Sequence, residues 1–206
     1  MNPIGGLTNV PTNTLIQIEF SKEISATSLS GVQLLQGSTP VPVTAALSRG
    51  NVVLTLTPSS VLSPNTAYTI SVAGVKDVQG NSIASTFTSS FTTSGGVGLT
   101  RPSITLVTPP NGQIGVPDNS TVQVVFNAAM DPLTFDPSTT YAQLEINSTS
   151  VVVPTTVAFS ADGKTATFTP TAALTPNMTY AIVINYVTDT TGNYNQTFIR
   201  STFTAQ

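Results

Sequence analysis

One block of this chain occurs twice without a gap, every matched position shifted by the offset that takes Pro58 to Pro170. Its first copy carries Pro58, Leu62-Ser63-Pro64-Asn65, Tyr68, Val75, Asp77 and Gly80-Asn81. Its second carries Pro170, Leu174-Thr175-Pro176-Asn177, Tyr180, Val187, Asp189 and Gly192-Asn193. Self-similarity at a constant offset marks duplicated modules, so whatever architecture one half adopts, the other adopts too. At 206 residues, each half is long enough to close a core of its own.

Short runs rich in Val, Ile, Thr and Phe alternate in polarity and end on Gly, Pro, Asn or Asp, the pattern of half-buried strands. In the first half they cover residues 14–20, 32–35, 41–47, 52–57, 67–72 and 87–92. In the second half they cover 104–107, 122–126, 143–146, 151–159, 165–169, 179–186 and 198–204. No window carries an apolar stripe at helical spacing, so no long helix is expected. About seven short strands per hundred residues describe a two-sheet sandwich. The expected fold is all-β: two tandem immunoglobulin-like β-sandwiches, the first lacking its N-terminal strand. The boundaries read as residues 1–94, a Gly-rich linker at 95–101, and residues 102–206.

The repeated block has a mechanical reading within such a sandwich. Tyr68 and Tyr180 open the strand after a chain reversal, where sandwiches place a tyrosine whose hydroxyl bonds back to nearby backbone. Pro64 and Pro176 stiffen that reversal, and Gly80 and Gly192 take the left-handed position of the following hairpin. Asp77 with Asn81, and Asp189 with Asn193, are the weak candidates for calcium. Calcium takes six to eight oxygens and each turn offers one carboxylate, so a hairpin in which Asp bonds its own amides is the competing reading.

Composition excludes several classes of chemistry. The chain has no cysteine and no histidine, which removes thiolate nucleophiles, disulfides and the commonest general base. Six basic residues are scattered along a chain of net charge −3, without the basic stripe that phosphate backbones require. The nine carboxylates form no pair recognisable in sequence, so the chain reads as non-enzymatic, without cofactor or catalytic residue. No apolar run reaches the ~20 residues of a membrane-spanning helix. The start at Met1 has no basic or apolar leader segment, so the chain reads as a segment of a longer protein.

Taken together, these residues resemble the bacterial Ig-like domain of the S-layer-protein type, in two tandem copies. The resemblance is carried by Pro109 to Gly112, Val10-Pro11 and Val116-Pro117, Phe20-Ser21 and Phe126, the duplicated block, and the closing Phe91-Thr92 and Phe203-Thr204. It implies an extracellular or cell-surface module, structural rather than catalytic, whose partners are neighbouring domains of a longer chain. A glycan- or protein-binding adhesive module, or the accessory domain of a secreted enzyme, is the alternative.

Two differences between the halves carry expectations of their own. The offset that takes Pro42 to Pro154 is longer by six than the one that takes Phe20 to Phe126, so the second half holds six extra residues between them. They are expected in the loop around 131–141, with Phe135 packed on its own sandwich or at the joint. At the shorter offset Met1 falls on Val107, which leaves the first half without the strand at 104–107. Its sheet edge is then either open to a strand donated by another chain, giving self-association, or covered by Pro3–Leu7 and neighbouring side chains.

Overall fold

A computed structural model of the protein describes residues 1–136 and 141–206. The chain divides into two compact units, Met1–Leu99 and Thr100–Gln206. In the first, one sheet joins β1 (Ile16–Glu19), β5 (Val53–Pro58) and β4 (Val43–Ser48) in the order β1-β5-β4. The other joins β2 (Val32–Gln36), β3 (Thr39–Val41), β6 (Ala67–Val72) and β7 (Phe87–Thr92) in the order β3-β2-β6-β7. Period-two alternation decides which face is inside: Ile16 and Ile18 of β1 are buried, while Gln17 and Glu19 are not. Leu54 and Leu56 of the same sheet, and Leu34, Ile70 and Phe91 of the other, are also buried. Each such side chain contributes about 1.5–3 kcal/mol relative to exposure.

The second unit contains β8 (Ile104–Thr108), β9 (Gln113–Val116), β10 (Val122–Phe126), β11 (Ala142–Ile146), β12 (Thr155–Phe159), β13 (Thr165–Pro170), β14 (Thr179–Ile184) and β15 (Ile199–Ala205). Its sheets run β12-β13-β10-β8 and β11-β14-β15-β9, with β9 parallel to β15. One core joins Val122, Val124, Phe126 and Phe168 of the first sheet to Leu144, Tyr180, Ile182 and Phe203 of the second. Each unit is thus a two-sheet immunoglobulin-like sandwich, and among the described residues helix is confined to two 3-10 turns, Ala26–Gly31 and Pro132–Thr134.

Several local expectations are corrected. The runs at 41–47 and 151–159 each divide at a proline, Pro42 or Pro154, because the chain crosses there from one sheet to the other. Val41 pairs with β2, whereas β4 pairs with β5; Val152 bridges Glu145, whereas β12 pairs with β13. Proline lacks the N–H a ladder needs, so a sheet change is a favourable place for it. Strand β9 is not among the expected runs, since Gly115 at φ +69° and two exposed neighbours hide its periodicity. The expected strand at 179–186 ends at Ile184.

The six extra residues are also shared differently. The registers Gln36↔Tyr68 and Ile146↔Tyr180 make Ile146 the counterpart of Gln36, at an offset four longer than that of Phe126 and two shorter than that of Pro154. Four of the six therefore precede β11 and two lengthen the following hairpin, which spans Asn147–Ser150 where the first unit has Gly37-Ser38. Of the longer loop, residues 137–140 lie outside the described residues. Phe135 turns into the core of its own unit, with ring centroids 5.8 Å from Phe126 and 4.9 Å from Phe159.

Candidate functional site

The sequence-selected residues fall into two structural devices, each present in both units. At the first, the Tyr68 hydroxyl accepts the Ser63 N–H at 2.8 Å, and the Tyr180 hydroxyl accepts the Thr175 N–H at 2.8 Å. Both tyrosines are buried and stack on the closing phenylalanine, Phe91 or Phe203, at 5.7 Å. Pro64 and Pro176 are exposed in the reversal just before, followed by Asn65 and Asn177 at φ +51° and +62°. Leu62 and Leu174 anchor the reversal from inside.

At the second device, the Asp77 carboxylate accepts the Gln79 and Asn81 N–H groups at 3.0 and 2.9 Å and the Asn81 side-chain amide at 2.9 Å. Asp189 does the same with the Thr191 and Asn193 N–H groups at 2.8 and 3.0 Å and the Asn193 amide at 3.2 Å. Gly80 and Gly192 sit at φ +88° and +86°, where a Cβ would be strained. The Asn81 side-chain amide, then its backbone N–H, hold the Asp77 carboxyl below the usual aspartate range, with Lys22 adding a smaller attraction from 3.7 Å. These hydrogen bonds close each turn on itself, while a separate backbone bridge joins its aspartate to Ile24 or Met130. Among the described residues, no three Asp or Glu side chains converge into a cation-sized cluster.

A third feature exists only in the second unit. Tyr141, Tyr186 and Tyr194 are exposed and adjacent, with ring centroids 6.4 Å apart for the first two and 5.7 Å for the last two. The Arg101 guanidinium lies 4.2 Å from the Tyr194 ring centre and donates to the Tyr194 carbonyl at 3.4 Å. Equivalent positions in the first unit hold Gly31, Gly74 and Ser82. The matches follow from shared backbone bonds: Asn185 to Tyr141 as Ala73 to Gly31, and the bridge Thr188↔Tyr194 as Lys76↔Ser82. Sequence reasoning misses this cluster because its members come from separate loops, Tyr141 far from the other two along the chain. Aligning the halves and asking where small residues became aromatic would have found it.

The fourth feature exists only in the first unit, where β1 forms the outer edge of a three-stranded sheet. Its counterpart β10 is covered by β8. The uncovered strip is an apolar groove of about 190 Å³ lined by Met1, Ile18, Phe20, Val72, Ile83 and Phe87, with Glu19 and Ser85 at its rim. Pro3–Leu7 do not close it. Gly6 donates to Ser90 and Leu7 accepts from Thr92, so this segment turns away to the edge of β7 in the other sheet.

A family model described as "Bacterial Ig-like domain" matches residues 1–93 and again 99–205. The chain matches no curated protein. Among solved structures it is similar to PcoC, a methionine-rich copper resistance protein from Escherichia coli, at 20% identity over 52% of this chain and all of that one, TM-score 0.38. It is also similar to the N-terminal part of the bacterial S-layer protein SbsC, at 16% identity over 96% of this chain and 43% of that one, TM-score 0.36. A third likeness is to the titin domains Z1Z2, at 14% identity over 98% and 92% of the two chains, TM-score 0.30.

Proposed function

Because this chain belongs, over nearly its whole length, to the bacterial Ig-like domain family, we propose that it is a non-catalytic spacer and assembly module of a secreted or cell-surface protein. Surface layers, filaments and adhesin arrays of the S-layer type are the setting. Its partners are neighbouring domains of a longer chain and other copies joined by strand donation at the edge of the first sandwich. The observation that supports this reading is the use of polar side chains. Both corner tyrosines and both turn carboxylates are spent on fixing the ends of their own sandwich. Such a chain transmits position and load rather than transforming a substrate. Pulling it from both termini should give two separate unfolding events, each lengthening the chain by about 300 Å, as roughly 100 residues at ~3.5 Å apiece less the folded span require. One merged event, or gradual lengthening, would remove the spacer reading.

A second reading, an adhesive module that binds glycan or protein, is favoured by the Tyr141–Tyr186–Tyr194 cluster with Arg101. Tyrosine and arginine presented on the loops of an Ig-like sandwich are the chemistry of recognition surfaces, because rigid amphipathic rings lose little entropy on binding. Screening against glycans and matrix proteins, with Tyr194→Ser as control, tests it. A ligand held equally by that variant would place binding elsewhere.

A further inference from the structure

We infer that the patch of Tyr141, Tyr186 and Tyr194 with Arg101 is a binding site for a short saccharide that carries a single carboxylate. This rests on the adhesive reading given second above and names its ligand class. The backbone carries the first argument. Tyr186 holds a left-handed conformation, at φ +52°, that bulky side chains rarely adopt, whereas its counterpart Gly74 holds it without strain. Strained residues of this kind cluster at ligand clamps and active sites. What the strain presents here is a ring 54% exposed, flanked by Tyr141 at 41% and Tyr194 at 38%. Backbone bonds fix the group: Asn185 donates to the Tyr141 carbonyl at 2.6 Å, and a bridge joins Tyr194 to Thr188. The rings are therefore set before any ligand arrives, which keeps the entropic penalty of binding low.

Size and chemistry select the ligand. Rings of this exposure offer about 300 Å² in all, well short of the roughly 800 Å² that each partner buries in a stable protein complex. Centroid spacings of 6.4 and 5.7 Å suit two linked sugar rings. A pyranose lays its C–H face on an aromatic ring and bonds through its hydroxyls. Among the described residues, the tyrosine hydroxyls bonded within the chain are those of Tyr68 and Tyr180, which leaves the three of the patch for such bonds.

Charge narrows the class. Arg101 stacks on the Tyr194 ring and gives one N–H to the Tyr194 carbonyl. Among the described residues the ion pairs are Lys22 with Asp77 and Arg200 with Glu145, so no carboxylate of the chain answers Arg101. Its remaining N–H groups suit the two oxygens of one carboxylate. A densely charged polyanion fits poorly, because the chain itself has a net charge of −3 and repels it.

The test titrates cellobiouronic acid, a glucuronate linked to glucose, and its neutral methyl ester into the intact chain, with tyrosine ring signals followed by NMR. Both sugars should shift Tyr141, Tyr186 and Tyr194 and leave Tyr68 and Tyr180 unmoved. The acid should bind about fivefold more tightly, the most an exposed ion pair supplies, and the gap should close in about 1 M salt. Arg101→Gln should erase that gap while keeping the ester's affinity. Tyr186→Gly relieves the backbone, so it should fold and bind neither sugar. Acid and ester held equally by the intact chain, and both lost in Tyr186→Gly, would overturn the carboxylate class and leave the adhesive reading standing. Millimolar sugar that shifts none of the three rings overturns the saccharide itself. A glutamyl peptide of equal charge that then shifts them would assign the patch to a protein partner; silence from the peptide as well would remove the adhesive reading.

Discussion

Tyr186 occupies in the second sandwich the left-handed backbone position that Gly74 occupies in the first, at φ +52° against +64°. Glycine adopts that conformation freely, whereas a residue with a Cβ is strained by about 1–2 kcal/mol. The second unit therefore carries an energetic cost to hold an aromatic ring beside Tyr141 and Tyr194. Tyr186→Gly should stabilise the second unit by about 1 kcal/mol, read as a higher urea midpoint at unchanged m-value. A drop in the midpoint would mean that the exposed rings contribute more to the fold than their backbone costs.

The two tyrosine corners have the same hydrogen-bond length and the same stacking partner, so they should be equivalent in energy. Tyr68→Phe and Tyr180→Phe should each cost about 1 kcal/mol, since each orphans one backbone N–H while keeping the ring. Differential scanning calorimetry of the two variants checks this. A loss in one unit and none in the other would show that the two corners are not equivalent.

Glu145 is buried and paired with Arg200, which also donates to the Asn147 side chain at 3.0 Å. Register places Leu35 and Thr88 at the equivalent positions of the first unit. Arg200→Ala should destabilise the second unit by about 2–3 kcal/mol, below the range for a fully buried pair because Arg200 is one-third exposed. The double change Glu145→Leu with Arg200→Thr should recover most of that loss, because no buried charge is left unpaired. A double variant as unstable as Arg200→Ala would show that the hydrogen bonds to Asn147, rather than the charge pair, hold that edge.

The Asp77 carboxyl has a native pKa lowered from its ordinary value of 3.8 by the Asn81 side chain and the turn amides. A lowered native value means the unfolded chain takes up the proton first. The stabilisation is therefore complete above about pH 4 and lost as pH falls through the native value. Asp162 behaves alike through the Ser160 hydroxyl and the Lys164 N–H. The melting temperature of the first unit should fall on acidification below about pH 4, and Asp77→Asn should flatten that fall. An identical acid limb in Asp77→Asn would put the protonation elsewhere.

Much of this architecture is local in origin and was legible in residue order. Alternation placed Ile16 and Ile18 inside, and the constant offset of the repeat made Tyr68 and Tyr180 one device used twice. The asparagine and glycine requirements of the turns are likewise read from immediate neighbours in the chain. What sequence could not decide depended on pairing between distant segments. The extra residues before Pro154 were divided only by the registers against β6 and β14, which no local pattern encodes. The path of Pro3–Leu7 depends on bonds to Ser90 and Thr92, far away along the chain. Tyr141, Tyr186 and Tyr194 each read as an ordinary loop residue; only tertiary folding brings their rings into contact, at 6.4 and 5.7 Å. Short-range sterics are written in neighbouring residues, whereas a register or a cluster assembled from distant loops belongs to the closed sandwich.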